Sequence, residues 1–144
     1  MRIFKFGSII IGGVGVDLLT KYLFFNLHYL SAFFEPTLNY GISFGLIIPR
    51  TITIIISSIF IVWFIVGYYK KKIPLRTAGL IIAGALGNLI DRVAFGSVRD
   101  FIRLGWGAVF NSADICITIG VILYGWLLWR SELSLSPGSL GPNK

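Results

Sequence analysis

The chain has 144 residues, of which 56% are hydrophobic and only 13% charged, with 13 Lys and Arg against 6 Asp and Glu. Soluble domains carry about a quarter charged residues, and disorder needs low hydrophobicity, so both classes are excluded. One cysteine (Cys116) and one histidine (His28) exclude an internal disulfide and any Cys- or His-pair metal site. They also make a His-based triad a poor fit.

A bilayer core takes about 20 mostly apolar residues as helix, and four segments qualify: about 4–25, 51–69, 75–95 and 108–129. The first begins like a signal peptide, with Arg2 and Lys5 before an apolar run. No A-x-A-like site follows, and Asp17 and Lys21 continue the pattern, which predicts a retained helix. Their i,i+4 spacing permits an ion pair. Between the first two spans, residues 33–44 are aromatic, β-branched and punctuated by Pro36 and Gly41, which predicts short strands and turns. The second span carries no ionisable group and reads as scaffold, its Ser and Thr bonding back to their own helix.

Lys70-Lys71-Lys72-Ile73-Pro74 links the second span to the third. In the third span Gly79, Ala83 and Gly87 recur every four residues. Such small-residue ridges let helix backbones approach closely, and Asp91 is the next residue on this one. Gly84, Asn88 and Arg92 form the neighbouring row. On the fourth span Asn111, Asp114, Thr118, Val121 and Gly125 share one predicted face. At 1.5 Å per residue, Asp91 and Asp114 lie about 6 and about 9 Å inside the same boundary. Residues 131–144 read as a frayed tail outside a single domain of 1–130.

Bases collect on cytoplasmic flanks. Arg2, Lys5, Lys70, Lys71, Lys72, Arg76 and Arg130 fall on one side and Arg50, Arg99 and Arg103 on the other, so both termini are expected inside. Every intramembrane charge then falls in the outer leaflet. The fold class expected is a membrane all-α, four-transmembrane-helix bundle with a small extracytoplasmic β-rich element. The excess of bases is read as topology, with membrane lipids and no nucleic acid as partners.

Two facing carboxylates near water permit aspartyl catalysis by a shared proton, without metal or cofactor. The rival is structural: Asp91 pairs with Arg92, and Asp114 bonds to helix ends or to Asn111. Cys116 reads as core, and a Ser43–Lys21 pair is weaker because Asp17 offers Lys21 a simpler partner. A small proton-coupled transporter is the alternative from another class, although transporters place charge nearer the midplane.

Four motifs, in order, carry a resemblance. They are Asp17-Leu18-Leu19-Thr20-Lys21; Asn39-Tyr40-Gly41-Ile42-Ser43-Phe44-Gly45; Gly84 to Arg92, followed by Gly96-Ser97-Val98-Arg99-Asp100-Phe101; and Phe110-Asn111-Ser112-Ala113-Asp114. Together they resemble the bacterial lipoprotein signal peptidase (signal peptidase II) family, with Leu18 where that family commonly has Gln. The resemblance implies an aspartyl endopeptidase of the bacterial cytoplasmic membrane, its active site toward the extracytoplasmic side. Its substrates would be diacylglyceryl-modified prolipoproteins, cleaved before the lipidated Cys to release the signal peptide. It implies Asp91 and Asp114 as the catalytic pair. Asn88, Arg92, Asn111 and Ala113 would surround the pair, and Asn39 and Gly41 would lie on the segment that clamps substrate. Asp17 and Lys21 would be structural support. Phe44, with Phe101, is expected to add apolar cover. No cofactor and a monomer are expected.

Overall fold

The computed structural model describes residues 2–26, 33–41, 48–103, 105 and 107–135. The order is α1 (Arg2–Asn26), β1 (Phe34–Asn39), α2 (Arg50–Tyr69), α3 (Leu75–Phe95), β2 (Val98–Arg103), β3 (Val109–Phe110) and α4 (Ser112–Leu135). All four helices are long and apolar enough to cross a membrane. Their outer surfaces carry Ile, Phe, Val and Trp side chains, as a bundle solvated by lipid requires.

α3 is the hub. Of its most apolar window 56% is buried, against 11% for α1 and α4 and 17% for α2. The expected ridge explains this. Gly79 lies against Ile9 of α1, and Ala83 lies against Gly13 of α1. Gly84 lies against the backbone carbonyl of Ala113 on α4, and Gly87 against the carboxylate of Asp17. On its other side Ala78, Ile81, Ile82 and Ala85 of α3 share one apolar cluster with Ile61 and Phe64 of α2, Ile73 of the link and Phe6 of α1. In lipid there is little hydrophobic drive between helices, so close contact over small residues has to supply the attraction. As expected, α2 bonds back to itself: Thr53 Oγ1 donates to the carbonyl of Arg50 and Ser58 Oγ to that of Ile54.

α3 ends at Gly96, whose φ of +78° is the left-handed conformation glycine adopts freely. The turn sends the chain directly into β2. The sheet is antiparallel with order β1-β2-β3. Thr37, Leu38 and Asn39 pair with Asp100, Arg99 and Val98, and Ile102 and Arg103 pair with Phe110 and Val109. The sheet docks on α1 through Phe24, which stacks on both Phe34 and Phe101 at 4.5 and 4.4 Å. Glu35 and Arg103 tie its outer edge.

Three expectations change. α4 starts at Ser112, not near residue 108, because Val109 and Phe110 are drawn into the sheet. It also continues through Leu135, past the expected end at 129. The face predicted to be buried is offset: Thr118, Val121 and Gly125 are exposed, and the buried line is Ala113 and Gly120, with Ile117 and Tyr124 half-buried. Asn111 precedes the helix, so the spacing that placed it on a helical face does not apply. Phe44, Ser43, His28 and residues 136–144 lie outside the described residues.

Candidate active site

At one end of the bundle seven charged side chains from four elements, α1, α3, β2 and α4, meet. The innermost is Lys21, fully buried. Its Nζ reaches Asp17 Oδ2 at 2.7 Å, Asn88 Oδ1 at 3.1 Å and Asp91 Oδ2 at 3.2 Å. Three N–H groups thus meet three acceptors, which is what a buried ammonium needs. The i,i+4 pair read from the sequence exists, with Asp91 added from a different helix.

Asp17 has a second task. Its Oδ1 accepts from the Ala113 backbone N–H at 2.8 Å and from Ser112 Oγ at 3.1 Å. These are first-turn groups of α4, where N–H donors lack helical partners and negative charge is favoured. α1 therefore caps α4 across the bundle, and Thr20 adds a 2.6 Å hydroxyl bond to Ser112.

Asp91 faces the bundle interior, as its place on the ridge predicts. It is fully buried. Its carboxylate accepts from the Arg99 backbone N–H at 2.9 Å and from Arg99 Nη2 at 2.8 Å, with Nε at 3.3 Å from both oxygens. Lys21 supplies a second cation. Two cations enclose this carboxylate, which has no accessible surface. The structural rival named Arg92 as its partner, and that changes: the ion pair is with Arg99, eight residues on, whose guanidinium lies 4.3 Å over the Phe95 ring. Gly96 makes the reversal that brings Arg99 back. Arg92 instead reaches toward the Gly41 carbonyl at 3.5 Å and interacts electrostatically with Asp114, Asp100 and Asp91.

Asp114 sits in the first turn of α4, not about 9 Å inside it. Asn111 is the N-cap. Its Oδ1 accepts from Asp114 N at 3.0 Å while Asp114 Oδ2 accepts from Asn111 N at 3.2 Å, a reciprocal capping box. Asn88 Nδ2 donates to Asp114 Oδ1 at 2.8 Å. The carboxylate remains partly accessible.

The carboxylate that joins Asp114 is Asp100, in the middle of β2. Asn111 links the two. Its Nδ2 donates to Asp100 Oδ1 at 2.5 Å, while its other amide atom and its backbone hold Asp114. Asn39 Nδ2 donates to Asp100 Oδ2 at 2.9 Å, and Asn39 Oδ1 accepts from Gly41 N at 2.9 Å. Burial is the largest of the causes that together raise the Asp100 carboxyl to about 6. The Asn39 and Asn111 hydrogen bonds pull it down, and the nearby Asp114 charge pushes it further up. The cluster's charges agree: Asp17, Asp91, Asp100 and Asp114 face Lys21, Arg92 and Arg99. One negative charge among them is uncompensated.

The structure brings together Asp17, Lys21, Asn39, Gly41, Asn88, Arg92, Asn111, Ala113 and Asp114. It adds Arg99, read from the sequence as a topology charge, and Asp100, present there only within a motif. A signal existed: strand alternation puts Val98, Asp100 and Ile102 on one face, setting a carboxylate between apolar neighbours.

A family model for signal peptidase (SPase) II matches residues 9–130. The chain belongs to the signal peptidase II family. Among this family's relatives, the lipoprotein signal peptidase of Moorella thermoacetica is 35% identical over 129 residues, 80% of this chain and 86% of that protein. That of Halothermothrix orenii is 40% identical over 99 residues, 65% of this chain and 68% of that protein. A bacterial membrane enzyme solved by the in meso method at 2.3 Å superposes with a TM-score of 0.80 at 29% identity, covering 99% of this chain and 96% of that one. A second, at 1.9 Å, gives 0.73 at 28% identity over 95% and 96%. As a signal peptidase II the chain is a protease and a multi-pass bacterial membrane protein, and the transporter alternative is not favoured.

Proposed function

We propose that this chain is an aspartyl endopeptidase that removes signal peptides from diacylglyceryl-modified prolipoproteins, cleaving before the lipidated Cys, with Asp100 and Asp114 as its carboxylate pair. The family supports the reaction and the substrate class. The aspartyl assignment rests on one observation: Asn111 holds Asp100 and Asp114 together in a cluster short of one positive charge. Like charges this close disfavour ionising both members, so such a pair can hold one proton between them. The ionised member takes a proton from water as the oxygen attacks the scissile carbonyl carbon. The protonated member gives its proton to the carbonyl oxygen. Collapse of the tetrahedral diol returns a proton to the leaving amine, and the carbon–nitrogen bond breaks. Asp91, first expected in the pair, becomes the anchor that fixes Arg99 and Lys21 beneath it.

The substrate is itself a membrane-inserted helix carrying acyl chains, so its scissile bond lies near a bilayer interface. A dyad at the end of the bundle, between α4 and the sheet, suits that bond. With the bases of the opposite end cytoplasmic, the dyad faces the extracytoplasmic side. Asn39 and Gly41 lead into the segment expected to clamp substrate, with Arg92 holding the Gly41 carbonyl. Residues 1–130 act as one domain, and a monomer suffices because all the charged groups named come from one chain.

The test is cleavage of a prolipoprotein with and without prior diacylglyceryl modification by wild type, Asp100→Asn and Asp114→Asn. A size shift only with modified substrate and wild type supports the reading. Turnover retained by Asp100→Asn returns the second carboxylate role to Asp91.

A further inference from the structure

The end of the bundle away from the carboxylates carries a feature the peptidase reaction does not use. Lys70, Lys71 and Lys72 are all exposed, about 24 Å along α3 from Asp91 at 1.5 Å per residue. They close α2 in a rigid turn. The Lys71 N–H donates to the carbonyl of Tyr68 at 2.9 Å and the Lys72 N–H to that of Gly67 at 3.0 Å, the two bonds of a Schellman motif. Glycine is the residue that motif favours at its left-handed position, yet Lys71 holds it with φ +58°. Held in that conformation, Lys71 fixes where its neighbours Lys70 and Lys72 stand.

The turn places Lys70 and Lys72 at the mouth of a crevice of about 300 Å³, floored by Trp63, Val66, Ile73 and Tyr124. A second apolar crevice, lined by Ile56, Ile59, Phe60 and Trp63, shares Trp63 with the first. Residues 56, 59, 60, 63, 66, 67 and 70 follow the i, i+3, i+4, i+7 spacing of one helix face. The two crevices therefore form one strip of about 21 Å along α2, apolar throughout and cationic at one end. A soluble anion would gain nothing from the apolar length, and a neutral lipid nothing from the lysines.

We infer that this strip is a binding site for an anionic phospholipid, with the phosphodiester between Lys70 and Lys72 and one acyl chain laid over Trp63 toward Ile56. The charge complementarity at the mouth and the apolar length together select that class. Lys71, which does not line the crevice, supplies the turn.

Native mass spectrometry of the detergent-purified full chain tests this, with phosphatidylglycerol, phosphatidylcholine of the same chains, and inorganic phosphate as probes. One phosphatidylglycerol should be retained in preference to phosphatidylcholine, and phosphate should not bind. A basic side chain near an anionic lipid surface is worth about a factor of five. The Lys70→Gln/Lys72→Gln double variant should therefore bind phosphatidylglycerol about 30-fold more weakly, and Lys71→Gln within about twofold of wild type. Equal retention of the two lipids overturns the inference, as does phosphate binding alone or an undiminished double variant. A Lys71→Gln loss as large as the double variant's would reduce the effect to net surface charge and also overturn it. Thermal unfolding without added lipid confirms that each variant is folded.

Discussion

Asp100→Asn should reverse the sign of its effect on stability with pH. In the folded protein the Asp100 carboxyl is raised from 3.8 to about 6. A raised carboxylate contributes stability that is full below the unfolded value and is lost as pH rises through the folded one. Over that interval the loss is about 3 kcal/mol. Asparagine cannot ionise, so at pH 8 the variant escapes that loss. It also has one acceptor oxygen fewer. Asn39 and Asn111 both point amide N–H groups at residue 100, and neither can flip: Asn39 Oδ1 is held by Gly41 N, and Asn111 Oδ1 by Asp114 N. One donor is left facing another, at a cost of about 1–2 kcal/mol. The variant should be more stable than wild type by about 1–2 kcal/mol at pH 8 and less stable by a similar amount at pH 4. Thermal unfolding in detergent, read as the difference in Tm at the two pH values, should show a change of sign of a few degrees. A Tm difference of the same sign and size at both would refute the raised Asp100 carboxyl and weaken its place in the pair. Because the Asp114 charge adds to the rise, Asp114→Asn should flatten the effect.

Other outcomes separate chemistry from support. Asp114→Asn should lose cleavage by more than about 10³-fold, at a stability cost of about 1 kcal/mol for the altered cap; a turnover assay on modified prolipoprotein decides it. Asp91→Asn should instead lose about 3–5 kcal/mol, since Lys21 and Arg99 are left buried with too little negative charge; a Tm within a degree or two of wild type would contradict the anchoring role. Gly84→Ala should destabilise by about 1–3 kcal/mol because the new methyl meets the Ala113 carbonyl. Gly12→Ala meets nothing within 4 Å and should be neutral or stabilising in the same melts.

Much of this protein follows from local pattern. Span lengths depend on apolar run length alone, which is why α3 runs from Leu75 to Phe95 as read. The ridge of Gly79, Ala83 and Gly87 depends on a four-residue spacing, and α3 is buried where that spacing says. The Asp17–Lys21 pair needs only one turn of helix. Asp100 was legible only as a letter in a motif, because its importance comes from long-range partners. β1 brings Asn39 to it from 61 residues away, and the α4 cap brings Asn111 from the other side. Asp91 looked available because a helical pattern shows a carboxylate on the inner ridge and cannot show that Gly96 turns Arg99 back onto it. The start of α4 was misread for a related reason: Val109 and Phe110 are apolar enough for a span, and only pairing with Ile102 and Arg103 makes them a strand. The sequence by itself determined four spans, their inner ridge and which residues carry charge within them. Tertiary structure decided which of those charges meet and which neutralise one another, because that depends on distances between elements far apart in the chain.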